Sequence, residues 1–153
     1  IIMELSQRWQ KGAPMRAYIA IKYHEDQRNR PRIEELTAAL AAAGFSTCCI
    51  VRDVEAWGQV VYDASALMER TFAEIERSDL AVIDFAEKGV GVGIEAGYAF
   101  AKGLPVIVIV PEDGEISTNL AGIATQMYRE SDTAPLAAIC ATLAADYSSL
   151  ARS

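Results

Sequence analysis

The sequence predicts an α/β domain of the flavodoxin or Rossmann-like kind, a three-layer sandwich around a parallel five-stranded sheet in the order 2-1-3-4-5. Three observations carry that expectation. Apolar, β-branched runs alternate with stretches of helical periodicity, the pattern of repeated βαβ units. Two of those runs, "AVIDF" and "VIVIV", are almost continuously apolar, as strands covered on both faces must be. The 153 residues, 52% hydrophobic and 23% charged, suit one compact domain.

Taken in order, "RAYIAIK" (16–22) reads as the first strand and "RIEELTAALAAAG" (32–44) as a helix closed by Gly44. "STCCIVR" (46–52) is a second strand, followed by the polar and aromatic loop "DVEAWGQVVYDAS" and a helix over "ALMERTFAEIERS". "DLAVIDF" (79–85) is the third strand. The glycine segment "EKGVGVGIEAGYAFAKG" then leads into a helix over about 94–102. "LPVIVIV" (104–110) is the fourth strand, "QMYRE" a short fifth, and "APLAAICATLAADYSSLA" a closing alanine-rich helix. Residues 1–14 read as an extension or an expression remnant, and residues 15–153 as the single domain. Folds of this order bind ligands at the carboxyl ends of their strands. The loops to watch are therefore 22–31, 53–64, 86–93 and 111–120.

Composition narrows the chemistry. A net charge of −7 argues against a nucleic-acid partner, which wants a basic face. No apolar run approaches the roughly 20 residues of a membrane span, and "IIMELSQRWQKGAP" lacks the apolar core of a signal peptide. Cys48, Cys49 and Cys140 read as buried thiols in a reducing cytoplasm. His24 is the one histidine, and no metal-ligand spacing occurs, so the expected chemistry uses no metal and no organic cofactor.

The glycine segment is the feature that points to a site. A dinucleotide fingerprint should follow the first strand. Here Gly89, Gly91, Gly93 and Gly97 follow the third, and the loop after the first strand, "YHEDQRNRP", has no glycine. Instead the segment offers close backbone approach to a ligand at Gly91 and Gly93, with Glu95 in the first turn of a helix. There the helix dipole should keep Glu95 ionised, as a nucleophile requires. The alternative is a carboxylate that only serves the helix start.

"GVGVGIEAGYAFAKGLPVIVIVPED", with "FAEIERSDLAVIDF" before it and "MRAYIAI" near the start, resembles the nucleoside 2-deoxyribosyltransferase family. That family includes the deoxynucleoside-monophosphate N-hydrolases and the cytidine-monophosphate N-glycosidases, to which "EAWG" (55–58) is also similar. The resemblance covers about Met15 to Arg129. It implies that Glu95 attacks the anomeric carbon of a nucleoside or nucleoside monophosphate and forms a covalent glycosyl-enzyme. Where relatives carry a second carboxylate on the preceding helix, this chain has Thr71, and Asp84 at the end of the third strand is the best substitute by position. Where they carry a serine or aspartate six residues before the nucleophile, it has Gly89, flanked by Lys88.

After the first strand, where the hydrolases of that family carry a glycine-proline-arginine loop, this chain has "AIKYHEDQRNRP", in which Tyr23 suits stacking on a base and Lys22 or His24 suits a phosphate or carbonyl. Trp57 is placed to meet a base. Ser117, with Asn119 nearby, matches a residue that reaches into a neighbouring subunit's pocket, which implies a homodimer or larger assembly with shared sites. Lys22, Lys88 and Tyr23 also fit plain surface positions, and Trp57 fits core or interface packing. Hydrolysis is favoured slightly over base exchange. A nucleotide-sensing module without activity, and a glycohydrolase acting on a larger nucleotide such as NAD, are the alternatives.

Overall fold

A computed structural model describes residues 14–150. The elements are β1 (Arg16–Ala20), α1 (Arg30–Ala42), β2 (Ser46–Cys49), α2 (Ile50–Asp53), α3 (Ala64–Glu76), β3 (Leu80–Asp84), α4 (Val90–Ala101), β4 (Val106–Pro111), α5 (Thr118–Ile123), β5 (Gln126–Glu130) and α6 (Leu136–Leu150). All strand pairs are parallel, and the sheet order is β2-β1-β3-β4-β5, as the alternation predicts. The expected extension lies, apart from Pro14, outside the described residues.

The period of two along each strand divides the core into two layers. Ala17, Ile19, Val82, Ile107 and Ile109 pack against Ile33, Leu36 and Leu40 of α1 and Leu136, Ile139 and Leu143 of α6. Their neighbours Tyr18, Ala20, Ala81, Ile83, Val106 and Val108 face Ile75 of α3, Val92, Ala96 and Ala99 of α4, and Leu120 of α5. The chain therefore leaves β1 toward one face and β3 toward the other. Adjacent strands whose connections part in this way open a crevice at their carboxyl ends. Among the described residues no helix is long and apolar enough to cross a membrane, and all three cysteines are buried and free.

Three of the differences from the sequence reading have a clear physical reason. The first helix begins at Arg30 and takes Pro31 into its first turn, where a missing N–H costs no hydrogen bond. The second strand stops at Cys49, because the Asp53 carboxylate accepts from the Cys49 amide at 2.9 Å and turns the chain into α2. The helix of the glycine segment starts at Val90, not near 94, so Gly91, Gly93 and Glu95 are helical.

One ion-pair group ties α1 to the carboxyl edge of the sheet. Arg32 Nε donates to Asp84 at 2.5 Å, and its two terminal nitrogens reach Glu130 at 3.1 and 2.5 Å. The other Asp84 oxygen accepts from the Ala86 amide at 3.1 Å. The Asp84 side chain is only 1% exposed, so removing Arg32 would strand a buried charge. Arg32→Met should cost about 3–5 kcal/mol in urea denaturation, and adding Asp84→Asn should recover much of the loss.

Candidate active site

α4 is an unusual helix to find so well packed. Val92, Ala96 and Ala99 are buried against the sheet, yet three of its positions are glycines, each costing roughly 0.5–1 kcal/mol relative to alanine. A Cβ added at Gly91, Gly93 or Gly97 would meet nothing within 4 Å. Contacts inside the chain therefore do not require these glycines. What they leave is open space on two sides of the helix. Gly91 and Glu95 border one cavity of about 400 Å³, and Gly89, Gly93 and Gly97 border another of about 690 Å³.

The first cavity lies at the carboxyl ends of β1 and β2, between α3 and α4, where the strand order predicts a ligand site. Its wall holds Glu95, Tyr18, Thr71, Glu55, Lys22 and Tyr23, with apolar cover from Leu67, Met68 and Ile50. Glu95 sits in the second turn of α4, beyond the reach of the dipole at the helix end. Burial pushes its carboxyl up to about 8, the nearby Tyr18 hydroxyl draws it back down, and the Glu55 charge raises it further. The expected dipole-held carboxylate is thus corrected. In the empty cavity desolvation wins, and Glu95 keeps its proton at neutral pH.

Tyr18 is 1% exposed. Its hydroxyl is buried with no well-formed hydrogen bond, although Glu95 is close enough for each to perturb the other. An unpartnered buried hydroxyl costs free energy, and a small rotation toward an ionised Glu95 would satisfy it. Glu55 is the carboxyl group that sequence reasoning missed. It is half-buried in the cavity wall, and burial raises its pKa too. Its signal in the sequence is its place as the first residue of "EAWG" (55–58), just past the second strand, a stretch quoted for its likeness and not for the carboxylate.

Thr71 lines the same cavity, with its hydroxyl donating to the Leu67 carbonyl at 2.9 Å. Glu69, two positions away, is exposed as its place on the helix requires. Beside the cavity, Glu87 meets two of its lining residues: His24 Nε2 lies 3.0 Å and Lys22 Nζ 3.8 Å from its carboxylate. His24 lowers the Glu87 pKa by that contact. Tyr23 is 59% exposed beside them.

Other expected residues stand elsewhere. Asp84 lines neither cavity and is held by Arg32. Trp57 is turned away from the cavity and packs on the α1 side of the core, with the Arg30 guanidinium 4.3 Å from its ring. It belongs to a strained turn in which Ala56, Trp57 and Gly58 have φ of 47°, 56° and 84°. The two non-glycine residues cost roughly 1–2 kcal/mol each in that conformation. The turn is held by the Gln27 amide donating to the Trp57 carbonyl and by the Trp57 amide donating to Val51 at 2.8 Å. Lys88, Gly89, Gly93, Ser117 and Asn119 border the second cavity, and Ser117 Oγ caps α5 by accepting from the Leu120 amide at 3.2 Å. Asp84 and Trp57 apart, the residues named from the sequence thus divide between two cavities on opposite sides of one helix.

No family model and no curated protein matches the chain by sequence. Solved structures do. The chain is similar to the 2-deoxyribosyltransferase of Bacillus psychrosaccharolyticus, with a TM-score of 0.63 and 15% identity over 75% of this chain and 86% of that one. It is similar to the CMP N-glycosidase BcmB of Clostridium botulinum, with a TM-score of 0.56 and 17% identity over 84% and 97%. A conserved protein of Enterococcus faecalis V583 gives a TM-score of 0.64 and 14% identity over 77% and 92%. The chain has their fold. At such identities the likeness speaks for architecture, and function has to be argued from the site.

The Glu95 environment makes a measurable demand on stability. Its native carboxyl holds a proton up to about pH 8, whereas the unfolded chain releases it near 4.5. Between those values the native state binds more protons, so Glu95 makes stability fall as pH rises. Glu95→Gln should therefore melt several degrees above the parent protein at alkaline pH and alongside it in acid, as followed by circular dichroism. Tyr18→Phe removes the group that lowers the Glu95 pKa, so the difference should begin at the same pH and level off at a higher one.

Proposed function

We propose that the protein cleaves or transfers at the N-glycosidic bond of a nucleoside or nucleoside 5′-monophosphate, with Glu95 as nucleophile. The observation that carries the reading is the pairing of Glu95 with the unpartnered Tyr18 hydroxyl on the wall of a cavity of about 400 Å³. A cavity of that size suits a small organic ligand. Its fold is shared with a 2-deoxyribosyltransferase and a CMP N-glycosidase.

In this mechanism the sugar lies against Gly91 with its anomeric carbon facing Glu95. Once ionised, Glu95 receives a hydrogen bond from Tyr18 and meets the positive charge that grows on the sugar as the bond to the base breaks. The resulting glycosyl ester is then opened by water or by a second base. Hydrolysis is favoured, since Thr71 and Gly89 follow neither pattern that the sequence resemblance provides. The chemistry uses no metal and no organic cofactor.

The reading includes a homodimer or larger assembly. Ser117 and Asn119 are separated from the Glu95 cavity by α4, so in one chain they cannot touch a ligand there. On α4, Val90 is 83%, Ile94 45% and Phe100 54% exposed, an apolar surface suited to a second copy. Light scattering should give at least twice the chain mass.

The decisive experiment is base release from nucleosides, their monophosphates and NAD, measured beside thermal shifts with the same compounds. Glu95→Gln should keep the binding shift and lose turnover by a factor on the order of 10³ or more. A fluorinated deoxyribosyl substrate should leave one sugar on the Glu95 peptide by mass spectrometry. Turnover in Glu95→Gln equal to the parent's would refute the nucleophile. Binding without turnover in the parent protein would identify a sensing module, and turnover of NAD alone a glycohydrolase for larger nucleotides.

A further inference from the structure

The Glu95 reading leaves one chemical need unmet. When the glycosidic bond breaks, its electron pair moves to a ring nitrogen of the base, which departs easily only if it gains a proton. Glu95 has to be ionised to attack, so it cannot supply that proton. Thr71, on the neighbouring helix, donates its hydroxyl to the Leu67 carbonyl and is no acid.

The remaining groups of the cavity can be taken in turn. Lys22 and His24 both meet Glu87. Burial pushes the Cys49 thiol up to about 12, and Tyr18 is raised as well and lies against Glu95. That leaves Glu55. Its side chain makes no hydrogen bond and no ion pair among the described residues, yet it borders the cavity and lies within electrostatic reach of Glu95.

Its backbone, by contrast, is tightly fixed. The Glu55 carbonyl accepts from Gly58 and Val60 at 3.0 Å each, and its amide donates to Ile50 at 3.0 Å. The left-handed turn over Ala56, Trp57 and Gly58 follows at once, anchored by Gln27 and by Arg30 on the Trp57 ring. Strain of this sort persists where surroundings enforce it, and it clusters at working sites. Here its effect is to hold a carboxyl group with no structural partner in the wall of a cavity that also holds the buried, unpartnered Tyr18 hydroxyl.

We propose that Glu55 is the proton donor to the leaving base and the acceptor of water's proton in the return step. The inference rests on the reading of Glu95 as nucleophile. In the first half, a Glu95 oxygen bonds to the anomeric carbon while the carbon–nitrogen bond breaks. The electron pair stays with the base, which takes the Glu55 proton. In the second half, water attacks the anomeric carbon and gives a proton to Glu55, and Glu95 leaves as a carboxylate. Both side chains end as they began. With substrate in the cavity, a hydrogen bond from Tyr18 holds Glu95 ionised, and the one proton that the two facing carboxyls share passes to Glu55.

The test compares two leaving groups in the full chain. One substrate is the nucleoside found active in the panel above, and the other is the 4-nitrophenyl glycoside of the same sugar, whose phenolate departs without a proton. Glu55→Gln should lose about 10²–10⁴-fold on the nucleoside and stay within a few-fold on the nitrophenyl glycoside. The alkaline limb of the nucleoside pH profile should disappear with it. The titratable groups that line the cavity with Glu55 are Glu95, Tyr18, Tyr23, Cys49, Lys22 and His24, and all remain in the variant.

Equal losses on both substrates, an undiminished nucleoside rate, or a surviving alkaline limb would overturn the assignment. Glu55→Asp, which keeps the acid but shortens its reach, should recover part of the loss. A Glu95→Gln variant as fast as the parent would instead overturn the nucleophile, so the two failures are distinguishable.

Discussion

Holding the half-buried Glu95 carboxyl against an apolar wall, largely away from bulk water, is the constraint on which the rest of this site depends. It is met by a helix whose buried residues, Val92, Ala96 and Ala99, clamp it to the sheet. On β1, Tyr18 provides the floor from the same face. Desolvation disfavours the charged form, so the cavity holds back reactivity until something in it stabilises a negative charge. The free energy involved comes from the apolar layer beneath α3 and α4, which is large enough to carry one unfavourable group.

The location of the cavity follows from topology. β1 and β3 are neighbours in the sheet, but their connections leave to opposite faces, and the space between them cannot be closed by either helix. Arg32 secures the opposite side of the same edge through Asp84 and Glu130. The polar ends of three strands are thus divided between a structural group and an open site. Asp84 illustrates how one position can suit either use. It sits at a strand's carboxyl end, as many working carboxylates do, but here an arginine from the first helix has taken it.

Strand order and layer structure were legible because periodicity and continuous apolar runs report burial directly. The start of α4 was not, since glycines lower helix propensity, while three buried residues on one face outweigh that cost. The protonation of Glu95 was misread for a related reason. A sequence shows closeness to a helix end but not the depth of the pocket. Trp57 read as either a base-stacking or a packing residue because aromatic character and loop position were all that could be seen. Its left-handed backbone, and so its direction toward α1, is set by Gln27 and Arg30, which are distant in sequence. Glu55 escaped notice since its importance depends on what faces it across the cavity.

The glycine pattern of α4 has a consequence for how such a protein can change over generations. Residues two apart on a helix are turned by about 200°, so Gly91 faces one cavity while Gly93 and Gly97 face the other. A Cβ added at any of these three positions would have free space, so small side chains can enter by single mutations. One such change trims the space beside Glu95 and leaves the far side as it was. Another reshapes the far side and leaves Glu95 alone. The two surfaces can therefore be inherited and selected separately, although two turns of one helix carry both.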